Sequence, residues 1–328
     1  MIISRTPLRV SFFGGGTDYP DWFKKNGGSV ISAAINKYSY VNSRYLPNFF
    51  KHKHCIRYYL REEVNSIEQI KHPSVRETLK FLNFKRGVEI IHNADLPARS
   101  GLGSSSSFTV GLLNSMNALQ GRKISKRNLA NKAICIEQKK IIENVGSQDQ
   151  IAAAFGGFNK INFHQSGDFT INPYTLSKSN LRLLEESLAL FFVGMPRTAS
   201  NVAKYQISSI NKRYVELKAM LDLVKDADEE FKRKRLEIKS IGKLLNEQWL
   251  LKKKLSNKIT NLTIDNAYNF FMNHGAYGGK LCGAGAGGFM LICANKEKIS
   301  MMKKSRKFLH VPFNLDFTGS QIIYSSQK

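Results

Sequence analysis

The chain of 328 residues lacks most of the features that mark secreted, membrane-spanning and zinc-binding proteins. Its four cysteines form no C-x-x-C pair, so we expect no structural zinc site and four buried thiols in a reducing compartment. No stretch approaches about 18 consecutive apolar residues. The opening MIISRTPLRV contains no long apolar segment followed by a small-residue cleavage site. We therefore expect a cytoplasmic protein without a membrane partner.

Acidic residues are scarce: 25 Asp and Glu stand against 50 Lys and Arg, which gives a formal net charge of +25. Such an excess suits either a nucleic acid or a phosphorylated substrate. The basic residues are spread along the chain, and no nucleic-acid-binding motif accompanies them. A non-catalytic, basic nucleic-acid-binding protein is therefore only a remote alternative. We expect the runs KRKR at 232–235 and KKK at 252–254 to be solvated helix faces.

Length and composition predict two closely packed domains. With 42% hydrophobic residues the chain can bury a sizeable core, and its length exceeds that of a usual single domain. Strand patterns dominate the first part of the chain, whereas 199–274 is mostly helical in pattern and highly charged. We place the boundary near residue 186, which gives domains 1–186 and 187–328.

Periodicity and turn residues predict individual elements of the first domain. A helix is expected over 104–119, stopped by Gly121, and a second helix over 126–143. GGSVISAAI and YSYVNSRYL have the composition of two strands, joined by a turn at Asn36-Lys37. GGFNKINF and FTINPY are expected to pair as a hairpin.

The segment PARSGLGSSSSF places two glycines and four serines directly before the first predicted helix. Gly101 and Gly103 lack side chains, so an anion can approach the backbone and the unpaired N–H groups at the helix start. The serines are expected to cap the helix and to donate hydroxyl groups. This pattern favours a nucleotide phosphate loop over a plain capped turn, although the chain contains no G-x-x-x-x-G-K-[ST] motif.

Two further glycine clusters stand far apart in the sequence. GAGAGG at 283–288 formally matches G-x-G-x-x-G, but the strand-like FMLICA follows it, so the context excludes a dinucleotide-binding turn. We expect a glycine turn between two strands, where the backbone can approach a ligand. In PLRVSFFGGGTDYP, Arg9 precedes three glycines and Asp18 follows them. A cation and a carboxylate beside an open loop suit a polyhydroxylated, anionic substrate.

Together these segments resemble the GHMP kinase superfamily of small-molecule kinases. Their order is P-x-R-x-x-x-x-G-G-x-T-D, then P-x-x-x-G-L-G-S-S-S-S, then G-A-G-A-G-G, and the resemblance spans nearly the whole chain. RTPLRVSFFGGGTDYPDWF, IEQKKIIENVGSQDQIAAAFGGFN and LFFVGMPRTASNVAK are similar to the sugar-1-kinase branch. The resemblance implies an α+β fold, with an N-terminal mixed α/β domain that contains a left-handed β-α-β feature. A ferredoxin-like C-terminal domain would follow, with ATP in the cleft between the two.

The resemblance also implies roles for particular residues. Asp149 would accept or orient the proton of the attacking hydroxyl, and Arg9 would keep Asp149 ionised and stabilise charge during transfer. A simple N-cap is the alternative for Asp149. Ser105 and Glu137 would hold Mg²⁺, although a buried salt bridge would also account for Glu137, which lies on an inward helical stripe. The ATP triphosphate loop would comprise Arg99, Ser100, Gly101, Leu102, Gly103, Ser104, Ser105 and Ser106.

The implied partner is a small-molecule phosphosugar, bound by a monomer or a homodimer. A phosphorylated heptose is the favoured acceptor, phosphorylated in line at its anomeric hydroxyl, and another sugar such as fucose is the alternative. The acceptor would contact Gly15, Gly16, Thr17, Asp18, Gly285, Ala286 and Gly287. For the acceptor's own phosphate, Arg197 is the first candidate, followed by Lys37 and Lys204, although Arg197 could be an ordinary surface residue. Ser107 is expected to tolerate substitution.

Overall fold

The computed structural model describes residues 1–194 and 210–326, and these ranges contain twelve strands and ten α-helices. The strands are β1 (Ile2–Phe13), β2 (Gly28–Tyr45), β3 (His54–Arg57), β4 (Arg61–Val64), β5 (Val88–Ala94), β6 (Phe158–Phe163), β7 (Phe169–Pro173), β8 (Leu188–Phe192), β9 (Gly278–Leu281), β10 (Phe289–Cys293), β11 (Leu309–Val311) and β12 (Gln321–Ser325). The helices are α1 (Pro20–Asn26), α2 (Pro73–Phe81), α3 (Ser104–Leu119), α4 (Lys126–Cys135), α5 (Gln148–Phe155), α6 (Lys178–Ser187), α7 (Tyr214–Lys232), α8 (Ile238–Leu255), α9 (Leu262–Asn273) and α10 (Lys296–Lys304). Across both ranges, no helix is long and apolar enough to cross a membrane.

Eight strands form the first sheet, in the order β12-β1-β2-β5-β3-β4, and the predicted β6–β7 hairpin extends it from the start of β2. The long strand β2 pairs with β1 along most of its length and with β5 near its end. One pair, β3 with β5, is parallel, and α2 lies between these two strands in the chain. Strand β12 pairs with β1, so the sheet also uses residues from the far end of the described chain.

The turn predicted at Asn36-Lys37 is wrong, because β2 continues through these residues as a single strand. The pairing register between β1 and β2 shifts between Pro7 and Leu8. At this point Asn36 and Lys37 are two extra residues on β2. A bulge of this kind accommodates polar residues by bending the strand instead of reversing it. Sequence composition alone does not separate the two outcomes.

Four antiparallel strands form the second sheet, in the order β11-β8-β10-β9. Helices α7 to α9 lie between β8 and β9 in the chain, and α10 lies between β10 and β11. This β-α-β-β-α-β order with a split central pair is the ferredoxin-like arrangement that the resemblance implied. The sheet begins at Leu188, just after the predicted boundary near 186, which stays a prediction because β12 belongs to the first sheet.

The predicted helix over 104–119 is confirmed by α3, whereas the helix predicted over 126–143 is only partly right. Its α-helical part ends at Cys135, and Ile136–Ile141 form a π-helical turn. The π-helical turn widens the backbone and changes which side chains face inward. Glu137 lies in this turn and is fully buried.

Helix α7 of the second half packs directly on the first sheet. Phe231 makes ring contacts with Phe12, Phe13 and Phe158, with centroid distances of 6.3, 6.3 and 4.7 Å. All four side chains are buried. The two halves therefore share an apolar core, which fixes the walls of the cleft between them.

Candidate active site

A cavity of about 470 Å³ lies in this cleft, where the three glycine segments meet. Its wall contains residues from the first segment around Gly15, from the phosphate loop at 99–105, and from the third segment at 283–287. Of the predicted site residues, the cavity is lined by Arg9, Gly15, Gly16, Asp18, Arg99, Gly101, Gly103, Ser104, Ser105, Asp149, Gly285 and Gly287. The fold thus brings together segments that are up to 270 positions apart in sequence.

The N-terminus of α3 opens on this cavity. Gly103 is the N-cap with φ of +73°, and no side chain caps the helix, so the predicted serine cap is wrong. The hydroxyl of Ser104 instead accepts a hydrogen bond from the backbone N–H of Arg99 at 3.1 Å. The first N–H groups of α3 therefore have no side-chain cap, which is the arrangement that binds phosphate at helix N-termini.

The phosphate loop and the third glycine segment are in backbone contact. A Cβ on Gly101 would lie 2.5 Å from the carbonyl oxygen of Cys282, and a Cβ on Gly283 would lie 2.4 Å from the Cα of Gly101. Both glycines have positive φ, so side chains are disfavoured on two grounds. The glycine turn predicted between two strands is confirmed, since 283–288 connects β9 to β10.

Arg9 and Asp149 form a two-pronged ion pair at the cavity. Nε and Nη2 of Arg9 donate to the two carboxylate oxygens of Asp149, each at 2.8 Å. The remaining Nη1 donates to the carbonyl oxygen of Gly101 at 2.7 Å, so the same side chain holds the phosphate loop. Asp149 lies in the first turn of α5, and its side chain keeps about a fifth of its surface exposed. It can therefore still contact a ligand in the cavity.

Glu137 is buried behind the phosphate loop. Its Oε2 accepts a hydrogen bond from the hydroxyl of Ser106 at 2.8 Å and a second from the side-chain amide of Gln150. Its Oε1 is buried and has no hydrogen-bond partner among residues 1–194 and 210–326. Burial raises the pKa of Glu137 to about 7. The residue does not form the salt bridge considered as an alternative, and an unpaired carboxylate oxygen at this depth is suited to a cation.

The four serines of the phosphate loop differ in their surroundings. Ser105 is exposed and lines the cavity, whereas Ser106 is buried against Glu137. Ser107 is also buried, and its hydroxyl donates to the carbonyl oxygen of Pro7 at 2.8 Å. That bond joins α3 to β1. We therefore expect substitution of Ser107 to lower the free energy of unfolding, contrary to the tolerance predicted from the sequence. Ser100 and Leu102 are buried and lie behind the cavity surface.

Asp18 and Thr17 take different positions in the first glycine segment. Asp18 lines the cavity and accepts hydrogen bonds from the backbone N–H groups of Gly16 and Gln148 at 3.0 and 3.3 Å. Burial, together with the nearby Asp149, raises the pKa of the Asp18 carboxyl. The hydroxyl of Thr17 donates to the carbonyl oxygens of Gly14 and Ser29 at 2.8 and 2.9 Å, so its visible role is to close the turn.

Ala286 is not among the residues that line the cavity, and its backbone N–H donates to the carbonyl oxygen of Ile259. Among the candidates for the acceptor's phosphate, Lys37 lies on β2 and is not among the residues that line the cavity. Arg197 and Lys204 lie outside the residues that the structure describes.

Sequence reasoning missed two buried lysines in the cavity wall. Lys252 belongs to the KKK run that was expected to be a solvated face, but it is buried and its Nζ donates to the carbonyl oxygens of Leu281 and Gly283 at 2.8 and 2.5 Å. Lys280 on β9 is buried as well, and its Nζ donates to the carbonyl oxygen of Phe12 at 2.8 Å. The helical spacing of Lys252 from Trp249 and Leu245, which are both buried, was the available signal.

Cys55 also departs from expectation. The four cysteines are free thiols, but the burial predicted for all four is wrong for Cys135, which is only partly buried. Cys55 lies in a cluster with His52 and Glu63 whose ligand atoms are all within 4.8 Å of one another. Glu63 already forms ion pairs with His52 and Arg61. We assign this cluster no role.

Two family profiles match the chain. The profile of the GHMP kinases N terminal domain matches residues 68–157, which include the phosphate loop and Asp149, and the profile of the GHMP kinases C terminal matches 229–300, which include the third glycine segment. The chain belongs to the GHMP kinase superfamily. It is a phosphotransferase with an alcohol group as acceptor, a finding that overturns the non-catalytic alternative.

Among known proteins, D-glycero-alpha-D-manno-heptose 7-phosphate kinase of Campylobacter jejuni is 28% identical over 325 residues, which cover 93% of each chain. The galactokinase of Pyrococcus furiosus is 26% identical, with 90% of each chain covered. The bifunctional fucokinase/GDP-fucose pyrophosphorylase of Arabidopsis thaliana is 24% identical over 94% of this chain but only 31% of its own length. The chain therefore spans nearly all of the first two relatives and about a third of the bifunctional one.

Solved structures share the whole fold. A D-glycero-D-manno-heptose 1-phosphate kinase from Bacteroides thetaiotaomicron superposes with a TM-score of 0.74 at 23% identity, covering 99% of this chain and 100% of its own. The galactokinase of Lactococcus lactis in complex with galactose gives 0.75 at 18% identity, with 98% and 94% covered. These similarities confirm the two-domain GHMP kinase architecture.

Proposed function

We propose that this enzyme transfers the γ-phosphoryl group of ATP to the anomeric C1 hydroxyl of D-glycero-D-manno-heptose 7-phosphate. The products would be the 1,7-bisphosphate and ADP, on the way to a nucleotide-activated heptose for a capsule or lipopolysaccharide. The observation that carries this proposal is the full-length similarity to a heptose 7-phosphate kinase, combined with the Arg9–Asp149 pair beside a phosphate-binding helix end. We assign the catalytic side of the cavity to this pair.

In this mechanism, the oxygen of the C1 hydroxyl forms a bond to the γ-phosphorus, while Asp149 accepts or orients the proton of that hydroxyl. The bond from the γ-phosphorus to the bridging oxygen breaks, and that oxygen leaves with ADP. Arg9 orients the Asp149 carboxylate through two charge-assisted hydrogen bonds. The Arg9 side chain is 6% exposed, so water screens its charge only weakly.

The residues of the phosphate loop fit a nucleotide triphosphate and its cation. The uncapped N–H groups of α3 would hold phosphate oxygens. The absence of a side chain at Gly101 and Gly103 lets the loop pack closely against Cys282 and against the Arg9–Asp149 pair, which places these N–H groups at the cavity. Ser105 and Glu137 would hold Mg²⁺, and Ser106 would orient the Glu137 carboxylate. When bound, Mg²⁺ neutralises phosphate charge.

The proposal is tested by supplying the purified enzyme with MgATP and a panel of acceptors. We expect the largest kcat/KM with D-glycero-D-manno-heptose 7-phosphate, and a product with phosphate at both C1 and C7 by ³¹P NMR. Faster turnover of L-fucose or galactose would instead support another sugar-1-kinase, which the fucokinase and galactokinase relatives make the second candidate.

A further inference from the structure

Two buried lysines face the cavity without a counter-ion. Lys252 and Lys280 are 7% and 3% exposed, and both line the cavity. Each ammonium group donates to backbone carbonyl oxygens, and neither forms an ion pair with a carboxylate within residues 1–194 and 210–326. Carbonyl oxygens compensate the lost hydration only in part, so two such cations in one wall carry a free-energy cost that an anion would relieve.

The charges around these lysines make the wall electropositive. Burial lowers the pKa of both ammonium groups, that of Lys280 to about 8, and the positive charge of Lys280 lowers the pKa of Lys252 further. Arg9 acts in the same direction on both. Cys282 acts in the opposite direction on both lysines, and burial raises the pKa of its thiol. Asp18 also acts in the opposite direction on Lys280, but its carboxylate is engaged by backbone N–H groups. The net field in this part of the cavity therefore favours an added negative charge.

Polar side chains beside the lysines also lack partners. Gln248 lies one helical turn before Lys252 on α8, is fully buried and lines the cavity. Its Nε2 has no hydrogen-bond partner in the part of the chain that the structure describes. Ser11 Oγ and Gln148 Oε1 are likewise unpartnered and belong to buried residues of the same wall. Buried donors and acceptors that face a cavity without partners indicate a polar ligand.

The contacts of these residues place them on the acceptor side of the cavity. Lys280 is bonded to Phe12, two positions before the first glycine segment, and the Oε1 of Gln248 accepts the backbone N–H of Gly14 at 3.1 Å. A Cβ on Gly15 would lie 3.5 Å from Ser11 Oγ. The contacts of Lys280, Gln248 and Ser11 are thus to the first glycine segment and the strand before it, which are proposed to bind the sugar. Lys252 instead donates to Leu281 and Gly283, at the start of the third glycine segment, where it lies one helical turn after Gln248.

We propose that Lys252, Lys280 and Gln248 form the subsite for a phosphate monoester that the acceptor already carries. This inference rests on the proposed function and replaces Arg197 as the first candidate for that role. The two ammonium groups and the Nε2 of Gln248 donate to the phosphate oxygens, while Ser11 and Gln148 are placed for neighbouring hydroxyl groups. An unphosphorylated sugar leaves the lysines unpaired, so the subsite selects against it.

The test compares kcat/KM for D-glycero-D-manno-heptose 7-phosphate and for the unphosphorylated heptose, together with KM for ATP. The variants are Lys280→Met, Lys252→Met and Gln248→Glu, which keeps the oxygen that accepts from Gly14 but replaces the Nε2 donor by a negatively charged oxygen. Lys254→Met is the matched control, because Lys254 belongs to the same run and is exposed. Circular dichroism and thermal unfolding of each variant identify any that fail to fold.

We expect the preference for the phosphorylated acceptor to fall roughly 10- to 100-fold in the three variants and to persist in Lys254→Met, with little change in KM for ATP. A preserved preference in the folded variants overturns the subsite. A rise in KM for ATP that is equal with both acceptors also overturns it, because the lysines would then serve the nucleotide. A wild-type enzyme with no preference for the phosphorylated heptose refutes the proposed function itself, so the two failures are distinguishable.

Discussion

Arg9 contacts both the carboxylate of Asp149 and the loop that opens α3. Its side chain reaches the two oxygens of Asp149 at 2.8 Å and the carbonyl oxygen of Gly101 at 2.7 Å, and its backbone N–H donates to the carbonyl oxygen of Leu102 at 3.0 Å. One residue therefore sets the position of the proposed base relative to the proposed phosphate site. Changes to the two members of the pair should have different consequences.

Asp149→Asn removes the carboxylate but keeps the size of the side chain. We expect kcat to fall by about 10²- to 10⁴-fold, because the proton of the acceptor hydroxyl loses its acceptor, while ATP binds nearly as before. Steady-state kinetics and titration calorimetry with a non-hydrolysable ATP analogue measure the two effects. Arg9→Met, in contrast, should weaken nucleotide binding as well, since it also releases Gly101. Wild-type turnover by Asp149→Asn would remove Asp149 from its proposed role.

Gly103→Ala tests the close approach between the phosphate loop and the ion pair. The added Cβ would lie 3.2 Å from Cγ of Arg9 and 3.3 Å from a carboxylate oxygen of Asp149. We expect a loss of activity beyond the strain of roughly 1–2 kcal/mol that a positive φ imposes on alanine. Gly121→Ala is a matched control, because its φ of +72° is almost the same as the +73° of Gly103 and its Cβ would meet nothing within 4 Å. Equal activity in the two variants would contradict the prediction.

The sequence predicts the turns at the glycine segments well, because the backbone conformation of each turn depends on residues within it. It predicts the burial of Lys252 poorly, because that burial depends on tertiary contacts. Four residues after Gln248, Lys252 points into the cleft only because α8 packs on β9. Lys254, two positions later in the same run, is exposed, although the composition of the run does not distinguish the two. The turn predicted at Asn36-Lys37 is wrong for a similar reason, because long-range pairing with β1 overrides the local turn signal.

The buried carboxyl of Glu137 should make stability depend on pH. Its pKa is raised to about 7, so between about pH 4.5 and 7 the folded protein holds a proton that the unfolded chain has released. The free energy of unfolding of metal-free protein should therefore fall as the pH rises through this window, by up to roughly 3 kcal/mol. Glu137→Gln removes that slope, and urea unfolding in EDTA at pH 5 and pH 8 measures it. If Glu137→Gln shows the same dependence on pH as the wild type, another group causes it.

Lys280 should make acceptor binding depend on pH above about pH 8. Its pKa is lowered to about 8 in the free protein, so the ammonium form is progressively lost above that pH. A phosphate monoester is already largely dianionic there, so the acceptor itself contributes no further change. KM for the phosphorylated acceptor should rise above pH 8, and Lys280→Met should flatten the profile. The unphosphorylated sugar is the control, and a parallel rise in its KM would point to a different group.

Ser107→Ala tests the buried bond between α3 and β1. Loss of the hydroxyl leaves the carbonyl oxygen of Pro7 without this donor, and we expect the free energy of unfolding to fall by about 1–2 kcal/mol. Ser105→Ala, at an exposed position two residues earlier, should leave stability nearly unchanged. Chemical denaturation of both variants decides between this expectation and the tolerance that the sequence suggested for Ser107.

The pairing of β12 with β1 has a consequence for the order of folding. Residues 321–325 are synthesised only after every element of the second sheet, so one edge of β1 stays unpaired until then. The second sheet can complete its hydrogen bonds without waiting for those residues, because its last strand ends at Val311. We expect the second sheet to be able to form before the first sheet gains its strand β12. A truncation after residue 311 would expose that edge to pairing with another chain.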